Sequence, residues 1–167
     1  MVDNLVKILV ETFQKLFSKE GTVFFISLLP ILELRGGVLA GYFMNLPLVT
    51  TSILAVIGNL LPIPFILLFI EKILDFMEHH HIMEKQVHML RERALHKSKG
   101  LNKAEFWSLL IFVAIPLPGT GAWTGALVAE VLQMERKKAF LSISLGVIGA
   151  LLIMLIVSYG LLNQLGF

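Results

Sequence analysis

Apolar positions along this chain gather into three runs that carry no Asp, Glu, Lys or Arg: residues 36–70, 106–129 and 139–167. Each exceeds the roughly 18 residues that a helix needs to cross a bilayer. A polar block, 71–105, separates the first two runs. Ahead of the first run the pattern is different. Val2, Leu5, Val6, Leu9, Phe13, Leu16 and Phe17 recur at helical spacing on one face, and Asp3–Lys7 and Glu11–Lys15 form i,i+4 pairs on the other. Residues 2–18 therefore read as an amphipathic helix lying in the interface or on the protein's own rim, with Gly21 as its stop.

Polar and helix-breaking residues interrupt the apolar sequence twice. The first interruption runs from Leu28 to Gly37 and holds Pro30, Glu33, Arg35, Gly36 and Gly37. Pro30 removes a backbone donor and the glycines loosen the helix, so the backbone is expected to break here. A charge at membrane depth is rare and faces a cavity or a partner, and irregular backbone survives there only when buried in protein or lining water. Thr22–Leu32 and Gly37–Asn45 each reach about half of a roughly 30 Å core, which suits a re-entrant hairpin over 22–46; one kinked spanning helix is the alternative. The second interruption, Ala114 to Gly121, includes Pro116, Pro118, Gly119, Thr120 and Gly121 within a hairpin over 106–129. Trp123 just beyond it suits a cavity wall or an interface belt.

Between and after these lie two spanning helices. Residues 47–70 open at Pro47 and carry Asn59, Pro62 and Pro64 in their second half, which predicts a kink. Residues 139–162 hold Ser142, Gly146 and Ala150, small residues at spacing four that permit close helix approach within the chain or across a dimer. In the polar block, Ile73, Phe76, His80, Met83, Val87, Leu90 and Ala94 form a heptad-like seam, which extends the first spanning helix into a cytoplasmic helical segment. His79, His80, His81, Glu84 and His88 fit a solvated surface better than a metal site.

Composition narrows the class. Hydrophobic residues make up 56% of the 167 and charged residues 16%, against about 25% in a soluble domain. There is no cysteine, so thiol chemistry and disulfides are excluded. The formal charge of +2 gives no reason to expect nucleic acid. Asp3, Lys7, Glu11 and Lys15 interrupt any signal-like apolar core near the start. Apart from Glu33, the apolar segments contain no acid or histidine, and their hydroxyls have no neighbouring base, so no catalytic residue, metal or cofactor is assigned.

The halves share a plan. Ala55–Leu61 matches Gly146–Leu152, Gly37–Gly41 parallels Gly121–Gly125, and each half runs from a broken hairpin to a spanning helix. With one crossing between two hairpins, the halves must be inverted, and paired broken segments of this kind point to a transporter site near the midplane. Lysines and arginines sharpen the topology. Lys72, Lys85, Arg91, Arg93, Lys97, Lys99 and Lys103 lie in 71–105, and hairpins place Arg136, Lys137 and Lys138 on the same side, opposite Lys7, Lys15 and Lys19. The positive side is cytoplasmic, which leaves both termini external.

The motifs Glu33-Leu34-Arg35-Gly36 after a proline, and Pro116-Leu117-Pro118-Gly119-Thr120-Gly121-Ala122-Trp123-Thr124-Gly125, resemble the small multidrug export protein family, which in turn resembles the wider DedA superfamily. The resemblance covers roughly residues 22–160. It implies an all-α integral membrane protein of a prokaryotic inner membrane, multi-pass, with two facing re-entrant hairpins in inverted repeats. It also implies transport, lipid-carrier translocation or lipid scrambling. Glu33 resembles the acidic residue of the first DedA hairpin; the arginine of the second has no counterpart here, and Arg35 would have to supply that charge. The expected substrate- or ion-binding set is Glu33, Arg35, Gly36, Gly37, Asn59, Pro116, Gly119, Thr120, Gly121 and Trp123. Membrane lipids, an anionic lipid or small amphipathic substrate, protons and a second copy of the chain are the expected partners. The alternative function is a non-transporting membrane scaffold assembled through the 73–94 seam. Residues i and i+2 share a side only in extended chain, so a joint action of Glu33 and Arg35 predicts extended backbone at the first break.

Overall fold

The computed structural model describes residues 10, 12–13, 16–69, 72, 102–117 and 119–161. The 73–94 seam and the histidine cluster lie outside them, as does most of the 2–18 helix. The described residues form helices and turns, with no strand among them. The chain turns at Leu16–Ser18, and Ser18 caps α1 (Lys19–Leu28) by accepting a hydrogen bond from the Gly21 amide at 3.2 Å. Gly21 therefore sits in the first turn of a helix rather than ending one. The reason is local: Ser18 is a strong N-cap and precedes the apolar run.

The helix α1 ends where Pro30 dictates. Leu29 is extended (φ −71°, ψ 134°), as the residue before a proline prefers to be. A short turn leads into α2 (Glu33–Phe43), which runs back along α1. The contacts of its glycines fix that direction. A Cβ on Gly36 would lie 3.0 Å from Ile26, and one on Gly37 would meet Ser27 and come within 3.2 Å of the Val23 carbonyl. The first break thus folds the chain into a helical hairpin, not a kinked rod. Lys19 closes its open end, donating from Nζ to the Met44 carbonyl at 3.0 Å.

Next comes α3 (Leu48–Leu60), which packs on both arms: Gly41 faces Thr51, and Gly58 faces the Phe24 carbonyl. The helix gives way at Leu61–Pro62 and resumes over 63–69, at the kink that Pro62 and Pro64 predict. The second half is built from α4 (Asn102–Ala114), α5 (Ala122–Val131) and α6 (Arg136–Leu155), the last widening into a π turn, Ile156–Leu161. Arg136, Lys137 and Lys138 thus form the first turn of α6 rather than a connection before it. Gly125 of α5 rests on Val113 and Leu109 of α4, and Gly146 of α6 on Val113 and the Leu110 carbonyl. Ser142 donates to the Phe106 carbonyl at 2.7 Å. The small stripe of α6 therefore packs inside the chain, on α4.

Equivalent contacts recur in the two halves. Gly37 meets α1 at Val23 and Ser27 as Gly125 meets α4 at Leu109 and Val113, and Gly58 meets the Phe24 carbonyl as Gly146 meets that of Leu110. The turns after α2 and α5 are the same Schellman motif, with Asn45 and Gln133 at φ 54° and 46°. In each, the next amide (Leu46, Met134) reaches back to a helix carbonyl (Gly41, Ala129) at 3.0 Å. The sequence match pairs Gly58 with Gly149 and Gly37 with Gly121; packing pairs them with Gly146 and Gly125 instead. A close helix approach depends on which carbonyl lies beneath the glycine, and short apolar strings do not encode that.

Leu48–Phe69 (22 residues, mean hydropathy 2.3) and Arg136–Gly160 (25 residues, 2.8) are long and apolar enough to cross a membrane. Their outward residues, among them Val49, Ile53 and Ile57 on α3 and Leu141, Leu145 and Leu152 on α6, are exposed. At the far end of α6 the Tyr159 hydroxyl lies 3.3 Å from the Leu46 carbonyl and 3.2 Å from Thr51 Oγ1, and its ring meets Tyr42 edge-on. The end of α6 therefore sits beside the start of α3, so the two long helices run in opposite directions.

Candidate functional site at the junction of the breaks

The two breaks touch. Glu33 opens α2 and is 2% exposed. Its φ of 51° lies in the left-handed region, a conformation that costs a non-glycine residue about 1–3 kcal/mol and persists only where its surroundings demand it. From there its carboxylate crosses to the second half. Oε2 accepts from the Ala122 amide at 3.2 Å and Oε1 from the Trp123 amide at 3.1 Å. These amides open α5, where the helix dipole favours a negative group. Gly121 makes room: a Cβ there would lie 1.7 Å from Oε2, and its φ of 131° is itself a glycine conformation.

Arg35, half-buried one turn position on, reaches the loop before α5. Its Nη1 donates to the Leu117 carbonyl and its Nη2 to the Thr120 carbonyl at 3.0 Å. Thr120 organises that loop from within, its one hydroxyl proton shared between the carbonyls of Ile115 (2.6 Å) and Leu117 (2.7 Å). Glu33 and Arg35 both lie in the first helical turn of α2, not in extended chain. The left-handed φ of Glu33, rather than a β-like backbone, lets both side chains reach across. Each charge is matched to the backbone dipoles of the other half, the carboxylate to amides and the guanidinium to carbonyls.

A narrow cavity lies beside this clamp, with space for no more than about one water molecule. Glu33, Leu34, Arg35 and Asn59 line it from the first half, and Pro116, Thr120, Gly121 and Val147 from the second. Among the residues that sequence reasoning singles out, Glu33, Arg35, Asn59, Pro116, Thr120 and Gly121 come together here, and Trp123 joins through its amide. Gly36 and Gly37 serve the packing of α2 on α1, and an added Cβ on Gly119 would meet nothing within 4 Å. Sequence reasoning missed the apolar walls (Leu34, Val113, Val147, Ala150) and the backbone groups that Glu33 and Arg35 engage. The available signal for the latter was the glycine before a new helix at Ala122. Three buried polar atoms have no partner among the described residues: Asn59 Oδ1, Trp123 Nε1 and Ser158 Oγ. The outer flank of the junction is apolar, with Ile31 80% and Leu117 56% exposed.

No curated protein and no solved structure matches this chain. A protein family does: the model of the family described as "Putative small multi-drug export protein" matches residues 33–153, from Glu33 just after the first break through the second break and most of α6. That name and the two long apolar helices point to a membrane protein with an export role, a transporter-type rather than an enzymatic one. Over well more than half its length, then, the chain carries the sequence of this family, and it belongs to it.

Proposed function

We propose that the chain is a proton-coupled membrane translocase for an anionic lipid or a small amphipathic substrate, with its polar site where two re-entrant hairpins meet. In this reading α1–α2 and α4–α5 enter a prokaryotic inner membrane from opposite faces and α3 and α6 cross it, an inverted pair. The hairpin arms are about 15–20 Å long, half to two-thirds of a roughly 30 Å core, so the breaks would meet near the midplane. The antiparallel course of α3 and α6 supports the inversion, and the basic first turn of α6 supports a cytoplasmic start for that helix. The lipid reading also draws on the resemblance of Glu33 to the acidic DedA residue.

One observation carries the proposal: the only acid in the apolar segments caps the second hairpin's helix, with an arginine beside it on the loop carbonyls. Protonating Glu33 neutralises that cap and weakens a charge-assisted contact by about half. The clamp then loosens, and a site with space for one water can widen for a substrate.

The test uses Glu33→Gln, which keeps size and removes the charge change. In reconstituted vesicles, the parent should move a labelled anionic lipid or an amphipathic cation faster under an imposed pH gradient. Glu33→Gln should lose the gradient-driven component while keeping its melting temperature. Unchanged flux with unchanged stability would remove Glu33 from the mechanism; lost stability without lost flux would make the clamp a structural lock.

A further inference from the structure

Asn59 is 2% exposed, lines the Glu33 cavity from α3, and its Oδ1 accepts no hydrogen bond from the described residues. A buried acceptor without a donor is costly, by about 1–3 kcal/mol, and such a group is met either by a cavity water or by a neighbour that donates to it in another state. The ionised carboxylate cannot be that donor, because it only accepts. A protonated Glu33 can. Resting on the proton-coupled reading above, we infer that Asn59 is the second station of Glu33: ionised, the carboxylate caps α5; protonated, its new hydroxyl turns within the shared cavity and donates to Asn59 Oδ1.

The chemistry is a single protonation. One Oε takes a proton from water at one face, the charge falls from −1 to zero, and no other covalent bond changes; return to the amides releases the proton. The amides of Ala122 and Trp123 are donors only and offer the acid's O–H nothing. Of the groups that face Glu33, Arg35 on its own helix is charged. The lining residues of α3, α4, α5, α6 and the 115–121 loop are Asn59, Val113, Ile115, Pro116, Thr120, Gly121, Ala122, Val147 and Ala150, none of them ionisable. The switch is thus between two stations, one of donors and one of an acceptor, set by one proton.

The test compares Asn59→Thr with Asn59→Val, which have the same shape and differ by one oxygen. With protein in lipid nanodiscs, infrared spectroscopy follows the carboxylic C=O band on acidification, and Glu33→Gln identifies it by its loss. Asn59→Val should shift that band toward a free acid and weaken proton uptake about tenfold, the worth of one hydrogen bond. Asn59→Thr should keep both nearer the parent. Equal behaviour of the two would overturn the role of Asn59 while leaving Glu33 as proton carrier. No Glu33 band in the parent would overturn both. If neither variant folds, the Asn59 side-chain carbonyl shift in the parent must move at the same midpoint as the Glu33 band; an unmoved shift overturns the inference.

Discussion

The two breaks solve one problem by opposite means. The first, Leu29–Leu32, is short, turns sharply at Pro30 and delivers side chains: the two charges that follow it. The second, Ile115–Gly121, is longer, is shaped by Thr120 and two left-handed glycines, and delivers backbone: two amides to Glu33 and two carbonyls to Arg35. Outside the breaks the halves pack with equivalent contacts, so the asymmetry is concentrated where they meet. A charged break against a backbone-rich one satisfies both charges without a second pair of ions. Buried ion pairs carry desolvation costs of several kcal/mol per ion, and distributing the charges over backbone dipoles supplies the compensating hydrogen bonds.

The strongest way to break this pairing is at Gly121. Gly121→Ala places a methyl on the Glu33 carboxylate and forces a φ of 131° on alanine, so it should lose about 3 kcal/mol or more. Gly119→Ala has the φ penalty (85°) with open space around it, and should lose about 1–2 kcal/mol. Thermal melts of the two in one detergent make the comparison. Equal losses would mean that backbone conformation, not the fit to Glu33, explains Gly121.

The likeness of the halves is tested next. A Cβ at Gly58 would lie 2.5 Å from the Phe24 carbonyl oxygen, and one at Gly146 2.8 Å from that of Leu110. Neither oxygen can rotate away, so each alanine variant should lose about 1–3 kcal/mol, the two differing by less than about 1 kcal/mol. A loss at one site alone, in the same melts, would show that the shared contacts do not carry shared weight.

The smallest effect concerns the open end of the first hairpin. Lys19→Met removes the bond to the Met44 carbonyl from an exposed position, worth about 0.5 kcal/mol. Hydrogen exchange at the end of α2 should quicken slightly while the amides of Ala122 and Trp123 stay protected. Faster exchange at the junction as well would mean that the hairpin's ends are coupled through its length.

How far the sequence could be read follows from what each residue type makes local. Pro30, Pro116 and the glycine pairs mark the breaks because they act on their own backbone, and the kink at Pro62 is equally local. The long spans are legible from their length without charge. The partner of Glu33 was legible only in kind: a helix N-terminus after Gly121 suits an anion, but only the fold decides that the anion is the carboxylate of Glu33. The left-handed turn at Glu33 has no sequence sign either; glutamate disfavours it, and tertiary contacts override that preference. The alignment of the halves failed for a third reason: helix packing is set by single contacts such as Gly58 on Phe24, whereas the matched strings reflect shared apolarity.

Ile31, at the tip of the first break, and Leu117, in the loop that Arg35 holds, both turn apolar side chains outward. In a bilayer those flanks would face acyl chains while the charges behind them face the cavity. On the proposed reading, these two residues would then stand at the boundary between hydrocarbon and polar interior. A molecule with a greasy tail and a polar head could cross that boundary sideways, its tail never leaving the lipid and only its head entering the junction. On the lipid reading proposed above, such lateral admission would need no aqueous vestibule, and the bulk of the side chain at position 31 would sort tails by width.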